Sequence, residues 1–518
     1  MNKHVKIVGV LLVVGVVAIV AARLLLPLFH EQEQRSTSDA VATKGTLRIG
    51  VDNWVGYVPL CSEEMVRAMR HSGYLYQCEE DASDYRDRLR RLQRGELQFA
   101  VATVDSYLLA GEPLGYPATI IAVIDESKGG DAIIARTERV SSLDAVRDGH
   151  GLRLAYTPDS PSAHLLKSVG SHFDIPLFTS GAGGTRITTS GSSDALARLL
   201  KNQADIAVLW EPDLSRALAN RELVKLIGSE DTERLIVDIL LVGRDFSRRD
   251  PEAVRTLLEN YFEVQRAFAQ EPQRLRDQVR SRTGLPLDQV NAMLSGVRWA
   301  TLRDNGALWF NVAGGGPFAE EGLVDTIQSA VAILLEAGDF RSNPLPGGDP
   351  YRITNRQFIA DLYRNRGFDQ AAASAGGGSS LERTFPPLDS ASWGRLREVG
   401  SLRVEPIAFQ SSTSSLSHDG KLELDRAVER LRHYPNFRLL VRGHTGVRGD
   451  LEANRQLSQE RAEAVARYLM VTYGIDPNRI ATIGYGGSRP LPQRPGESDR
   501  AWGYRLPRVE LALMGEAF

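Results

Sequence analysis

The stretch 441–469, VRGHTGVRGDLEANRQLSQERAEAVARYL, decides how the C-terminal part of the chain folds, and the rest is read outward from it. Aliphatic residues from Phe437 to Arg442 predict a strand, and Gly443, Gly446 and Gly449 predict a turn after it. From Leu451 the period changes to that of an amphipathic helix. Leu457, Ala462, Val465, Ala466 and Leu469 recur on one face, with Asn454, Ser458 and Arg461 a turn apart on the other.

The pattern G-H-T-x-x-x-G-x-x-x-x-N-x-x-L-S-x-x-R-A-x-x-V resembles the OmpA-like, peptidoglycan-binding domain. That resemblance implies a β-α-β-α-β-β domain over residues 393–518, with a first strand over Leu402 to Phe409. It also implies a peptidoglycan site at Thr445, Asn454 and Arg461, the Arg holding a carboxylate of the diaminopimelate side chain. Two positions depart from the family. Gly446 stands where the family has the Asp that takes the ammonium, and Leu506-Pro507-Arg508-Val509 stands for Asn-Arg-Arg-Val. Asp450 is a candidate replacement carboxylate.

The chain has 518 residues, 42% of them hydrophobic and 25% charged, the make-up of a globular protein with about three domains. A formal net charge of −3 gives no reason to expect nucleic acid as a partner. Lys3 and Lys6 precede an uncharged run from Ile7 to Ala22, which Leu24 to Phe29 prolong past Arg23. A helix of that length reaches about 30 Å, so residues 1–29 read as one N-terminal transmembrane helix. The basic N-terminal flank favours N-in. The expected location is the bacterial inner membrane, single-pass, with the bulk in the periplasm; a cleaved signal peptide ending at Ala22 competes. Residues 30–44 are a polar spacer. The two cysteines, Cys61 and Cys78, fall at the start of a helix and late in the next strand, which puts both at one end of a sheet. A disulfide and two buried thiols are both open.

From Thr46 strands and helices alternate for some 300 residues, as in a pair of open α/β lobes. LRIGVDNWVGYVPL (47–60), LQRGELQFAVATVDSYL (92–108), AVIDESKGGDAIIA (122–135), LARLLKNQADIAVLWEPDLSRAL (196–218) and IVDILLVGRDF (236–246) occur in the order found in another family. Together they resemble a periplasmic solute-binding protein of the nitrate/sulfonate/taurine ABC-transporter type. The resemblance implies an α/β two-lobed periplasmic-binding-protein fold (type II) over 45–368. Trp54 and Tyr57 offer apolar walls, and Gly56 lets backbone approach a ligand. Asp105, Ser106, Ser160 and Ser162 begin helices, where hydroxyls and free N–H groups can hold a polar group. Asp125, Glu126 and Ser127 end a strand at the sheet edge where open α/β sheets bind ligands, and Glu211 and Asp238 join from the other lobe and the crossover. If Asp125, Glu126, Glu211 and Asp238 converge, they favour a ligand bearing an amine or other cation.

Residues 369–392, rich in Ala, Gly, Ser and Pro, read as a flexible linker that separates the two exported domains. No P-loop, G-x-S-x-G, H-E-x-x-H or Cys-x-x-Cys occurs, so neither an enzyme nor a metal or other cofactor is expected. The sequence therefore predicts an anchored envelope protein. Its hinged cleft would bind a small polar solute for uptake with an ABC permease or for sensing, and its last domain would bind peptidoglycan. The alternative is a structural tether between membrane and wall.

Overall fold

The computed structural model describes residues 43–81, 84–312, 321–365, 381, 383–410 and 413–516; the expected membrane span and the first half of the expected linker lie outside them. Among the described residues no helix is long and apolar enough to cross a membrane.

The first lobe opens with four strands, β1 (Gly45–Val51), β2 (Tyr74–Glu80), β3 (Phe99–Thr103) and β4 (Ala118–Ser127). The chain then crosses into a second lobe built from β5 (Asp131–Arg136), β6 (Leu152–Tyr156), β7 (Gly184–Thr188), β8 (Ile206–Trp210) and β9 (Leu223–Gly228). It returns through 229–236 to add β10 (Val237–Gly243) and β11 (Val297–Trp299) to the first sheet. The sheet orders are β11-β4-β10-β3-β1-β2 and β7-β6-β8-β5-β9. In each lobe the strand that follows a crossing, β5 or β10, is inserted antiparallel to its neighbours. This is the two-lobed binding-protein architecture expected from the five motifs. β3, β4 and β5 are buried at every residue, as strands covered on both faces must be, and their Val, Ile and Ala runs do not alternate with polar residues.

Antiparallel insertion decides where the polar residues meet. Because β10 runs backwards between β3 and β4, its first polar residue, Asp238, lies level with Thr103 and Asp125 at the carboxyl ends of its neighbours. Asp131 opens β5 level with Trp210 at the carboxyl end of β8. Each lobe thus presents acidic residues at the edge that faces the crossings.

Cys61 and Cys78 are joined in a disulfide, with Cα atoms 5.9 Å apart. It ties the residue before the Ser62-capped helix Glu63–His71 to β2.

The C-terminal domain is a sheet of order β12-β15-β13-β14, made of β12 (Arg397–Leu402), β13 (Arg438–His444), β14 (Ile480–Gly484) and β15 (Arg508–Gly515). Helices His418–Arg432 and Leu451–Tyr473 cover it, and a short helix, Asp499–Arg505, precedes β15. The first strand lies upstream of the expected Leu402–Phe409. The pairing stops at Leu402, because the next N–H, that of Arg403, turns to the His172 carbonyl and Glu405 N–H bonds Glu423 at 2.9 Å; Pro406 has no N–H to resume a ladder. Ser458 is also not on the polar face. It is fully buried and accepts the Gly486 N–H at 2.9 Å. The helix packs so tightly on β13 that a Cβ on Gly443 would overlap the Ser458 carbonyl.

The C-terminal domain packs against the second lobe, and the described end of the expected linker lies on that domain. There Phe385 N–H donates to Asp476 at 2.7 Å. Leu143, Phe173, Val399, Val428 and Tyr434 belong to one apolar core that runs from the second lobe into the C-terminal domain. Ser401 N–H donates to Asp144 (3.1 Å) and Arg403 N–H to the His172 carbonyl. Glu233, in the return crossing, makes two bonds with His433: its N–H donates to the His433 carbonyl at 2.9 Å, and its carbonyl meets the His433 ring Nδ1 at 3.0 Å.

Candidate functional site

The first-lobe edge is a closed polar cluster. Trp54, in the loop after β1, donates its indole N–H to Asp125 at 3.1 Å and its backbone N–H to Asp52 at 3.1 Å. The Tyr57 hydroxyl donates to Asp238. Trp299 donates its indole N–H to the Gly56 carbonyl at 3.0 Å. Gly56 is required here by the chain itself: a Cβ would overlap the Asp125 carboxylate that lies over it. Asp125 is 0% and Asp238 3% exposed. Burial pushes the Asp125 carboxyl up to about 7, and burial and then the Asp125 charge push Asp238 well above the usual carboxylate range. Asp52, below them, is held by Arg88 at 3.2 Å and by the Tyr85 hydroxyl at 3.3 Å.

The second-lobe edge centres on Asp131. It accepts from the Ser127 hydroxyl at 2.8 Å and from Ser162, and burial raises its carboxyl to about 6. Ser160 caps the helix Pro161–His172, accepting the Ala163 N–H at 3.2 Å. Asp105 is buried in the first turn of the helix Val104–Gly111, and one of its oxygens meets no donor. His164, on the second lobe, is likewise buried with its Nδ1 unpartnered.

Trp54, Gly56, Tyr57, Asp125 and Asp238 therefore come together, and Ser127 and Ser162 both join through Asp131. The remaining candidates have other partners. Ser106 bonds Thr103 at 2.8 Å. Glu126 points away from Asp125, as the next residue of a strand does, and meets Lys128, Arg298 and the Arg234 N–H at the crossings. Ser127 bridges Asp131 and Ser229. Glu211 accepts the Ser215 N–H (3.1 Å) and hydroxyl (2.7 Å), capping the next helix. Of the four carboxylates expected to converge, Asp125 and Asp238 do. Asp52, Asp131 and Trp299 were not singled out. Asp131 carried one usable signal, an Asp directly after Gly129-Gly130 at a strand start, but its place at this edge depends on β5 being antiparallel.

In the C-terminal domain the Thr445 hydroxyl donates to the Gly446 carbonyl at 3.2 Å, and the Asn454 amide closes the turn on the Arg448 carbonyl at 2.9 Å. The Arg461 guanidinium lies over the Phe409 ring at 4.9 Å and reaches the Thr413 carbonyl at 3.4 Å. Asp450 caps the helix, accepting the Ala453 N–H at 2.8 Å. His444 is buried, with its ring stacked 5.5 Å from Tyr485. Among the described residues no group of three or more His, Cys, Asp or Glu side chains is placed to hold a metal ion.

The chain joins a two-lobed α/β unit to a C-terminal domain of four strands with covering helices. The OmpA family model matches residues 408–501. A peptidoglycan-associated lipoprotein of Pseudomonas aeruginosa is 30% identical over 148 residues, 28% of this chain and 85% of that protein. The chain belongs, through this domain, to the OmpA family. The peptidoglycan-associated lipoprotein of Rhizobium meliloti is 38% identical over 85 residues, and the chain spans about half (48%) of its length. Among solved structures, the periplasmic aliphatic sulphonate binding protein SsuA of Escherichia coli matches 57% of this chain and 93% of its own, with 16% identity and a TM-score of 0.45. The desulfurization enzyme DSZB matches 62% of this chain and 100% of its own, with 10% identity and a TM-score of 0.43.

Proposed function

We propose that this chain is a cell-envelope receptor that closes two hinged lobes around a small polar solute. Its C-terminal domain would associate with peptidoglycan, as the names of the Rhizobium and Pseudomonas relatives state for those proteins. Residues 1–29 would anchor it in the inner membrane, and delivery to an ABC permease or signalling of occupancy would follow closure. The observation that carries this reading is the meeting of Trp54, Asp125, Tyr57 and Asp238 at the first-lobe edge, across from Asp131 and Ser162. Polar groups buried together at the carboxyl edge of an open α/β sheet are the usual make-up of a ligand site. A binding role needs no nucleophile or base.

One observation favours a second reading, a tether whose cleft takes no ligand. Trp54, Tyr57 and Ser162 already donate to the cleft's own carboxylates. Small-angle scattering of the purified protein with and without a periplasmic small-molecule extract separates the two. Receptor closure predicts a smaller radius of gyration with the extract. An unchanged radius leaves the tether.

A further inference from the structure

We infer that the solute taken by this cleft is an organic cation, an ammonium or guanidinium on a small flat or apolar body, and that it enters by displacing a proton shared between Asp125 and Asp238. The inference rests on the receptor reading above and names its ligand class.

Charge and hydrogen-bond chemistry carry it. Asp125 and Asp238 are level in adjacent strands, both buried, with their carboxyl groups within hydrogen-bonding reach of each other. Two ionised carboxylates cannot share a hydrogen bond, so a proton lies between them when no ligand is bound. Apart from that shared proton Asp125 Oδ2 meets no donor, and Asp105, a residue 3% exposed, has its Oδ1 without one. These are buried acceptors that lack donors, the complement of a cation rich in N–H groups. Asp131 and Asp52 add acidic charge on either side.

An oxyanion has nothing comparable to meet here. The Trp54 indole, the Tyr57 hydroxyl and the Ser162 hydroxyl already donate to Asp125, Asp238 and Asp131. Arg88, the nearest buried guanidinium, is held by Asp52, by Asp81 at 2.7 Å and by the Val101 carbonyl at 2.6 Å. An anion would sit against several carboxylates with these donors turned from it. The cluster offers no three-ligand metal arrangement among the described residues, which leaves an organic cation. Trp54, whose ring lies over the Gly130 backbone, and the half-buried Trp210 supply flat surfaces for its apolar body and for cation–π contact.

The charge balances. The empty pair holds two carboxyl groups and one proton, a net charge of one negative unit. The occupied pair is two carboxylates and one cation, again one negative unit, and the proton leaves to solvent. Because burial holds both carboxyls above the usual carboxylate range, binding that displaces the shared proton tightens as pH rises, by about tenfold per pH unit for each proton displaced.

The test uses the full chain. Thermal unfolding is followed with ethylammonium, putrescine, choline, arginine and guanidinium, and in parallel with sodium sulfate, nitrate and ethanesulfonate. Any cation that shifts the midpoint is titrated calorimetrically in phosphate and in HEPES, whose different ionisation heats reveal protons released. The expected result is a midpoint raised by one or more cations and by no oxyanion, with about one proton released per ligand. Asp238→Asn should abolish the release, and far-UV circular dichroism reports whether that variant is folded. If it is not, proton release by the unmodified protein still decides. A midpoint raised by an oxyanion alone overturns the cation while the receptor reading stands. A cation that binds with no proton release overturns the exchange. If neither class shifts the midpoint, the inference falls and the receptor reading falls with it.

Discussion

Gly446 is the residue at which this domain departs most from its family, and the structure makes the departure testable. A Cβ at Gly446 meets nothing within 4 Å, so a side chain fits there without repacking. Asp450, the candidate replacement carboxylate, is exposed and caps the helix through one oxygen. If the domain binds wall peptide in the family manner, Gly446→Asp should strengthen retention on purified sacculi by roughly tenfold, the worth of one charge-assisted hydrogen bond. Arg461→Ala should abolish retention. Indifference to both changes in a pull-down would point to a protein partner instead. In the two-lobed unit, Gly56→Ala should destabilise by about 1–3 kcal/mol in chemical denaturation, since its Cβ would push Asp125 off Trp54.

At the scale of elements, the disulfide closes a loop of 17 residues between the helix Glu63–His71 and β2. Replacing both cysteines by Ser should cost about 3 kcal/mol in the chain-entropy view, read as a lower denaturant midpoint of the first lobe. No loss would place the constraint in the strand pairing alone. Much of this layer was legible in the sequence. The β2 bounds, the alternation of strands with helices and the helix after Leu451 all follow from hydrophobic period and turn residues. Less legible was strand direction. Nothing in DAIIAR or VDILLVG marks those strands as antiparallel, and that direction alone brings Asp131 and Asp238 to the carboxyl ends of their neighbours. Glu126 and Ser127 looked equivalent to Asp125 by proximity in sequence, but alternation along the strand turned Glu126 to the crossings. Pro406 was a readable signal that the first strand of the C-terminal domain ends early.

At the scale of the whole molecule, the C-terminal domain is docked on the second lobe and on the return crossing, a packing that no local pattern encodes. Phe173 and Tyr434 meet edge-to-face at 5.3 Å, and His172 stacks on His433 at 5.3 Å. Phe173→Ala should weaken the shared core by about 3 kcal/mol and separate unfolding of the C-terminal domain from that of the lobes, seen by calorimetry as two transitions in place of one. Both histidines are depressed below the ordinary value of 6.5, His172 by burial and then the neighbouring His433, His433 chiefly by burial. Groups depressed on docking contribute stability that is present above 6.5 and lost as the pH falls below it, by up to about 1.4 kcal/mol per histidine per pH unit. The radius of gyration should therefore grow between neutral and mildly acidic buffer, and His433→Phe should remove part of that growth. Beneath all of this lies the claim that the cleft is a working solute site. Mass spectrometry of small molecules released from the purified full chain, beside the same material from the Asp125→Asn and Trp54→Ala variants, tests it most directly. The account predicts a species that the unmodified protein retains and both variants lose. Identical profiles from all of them would contradict it.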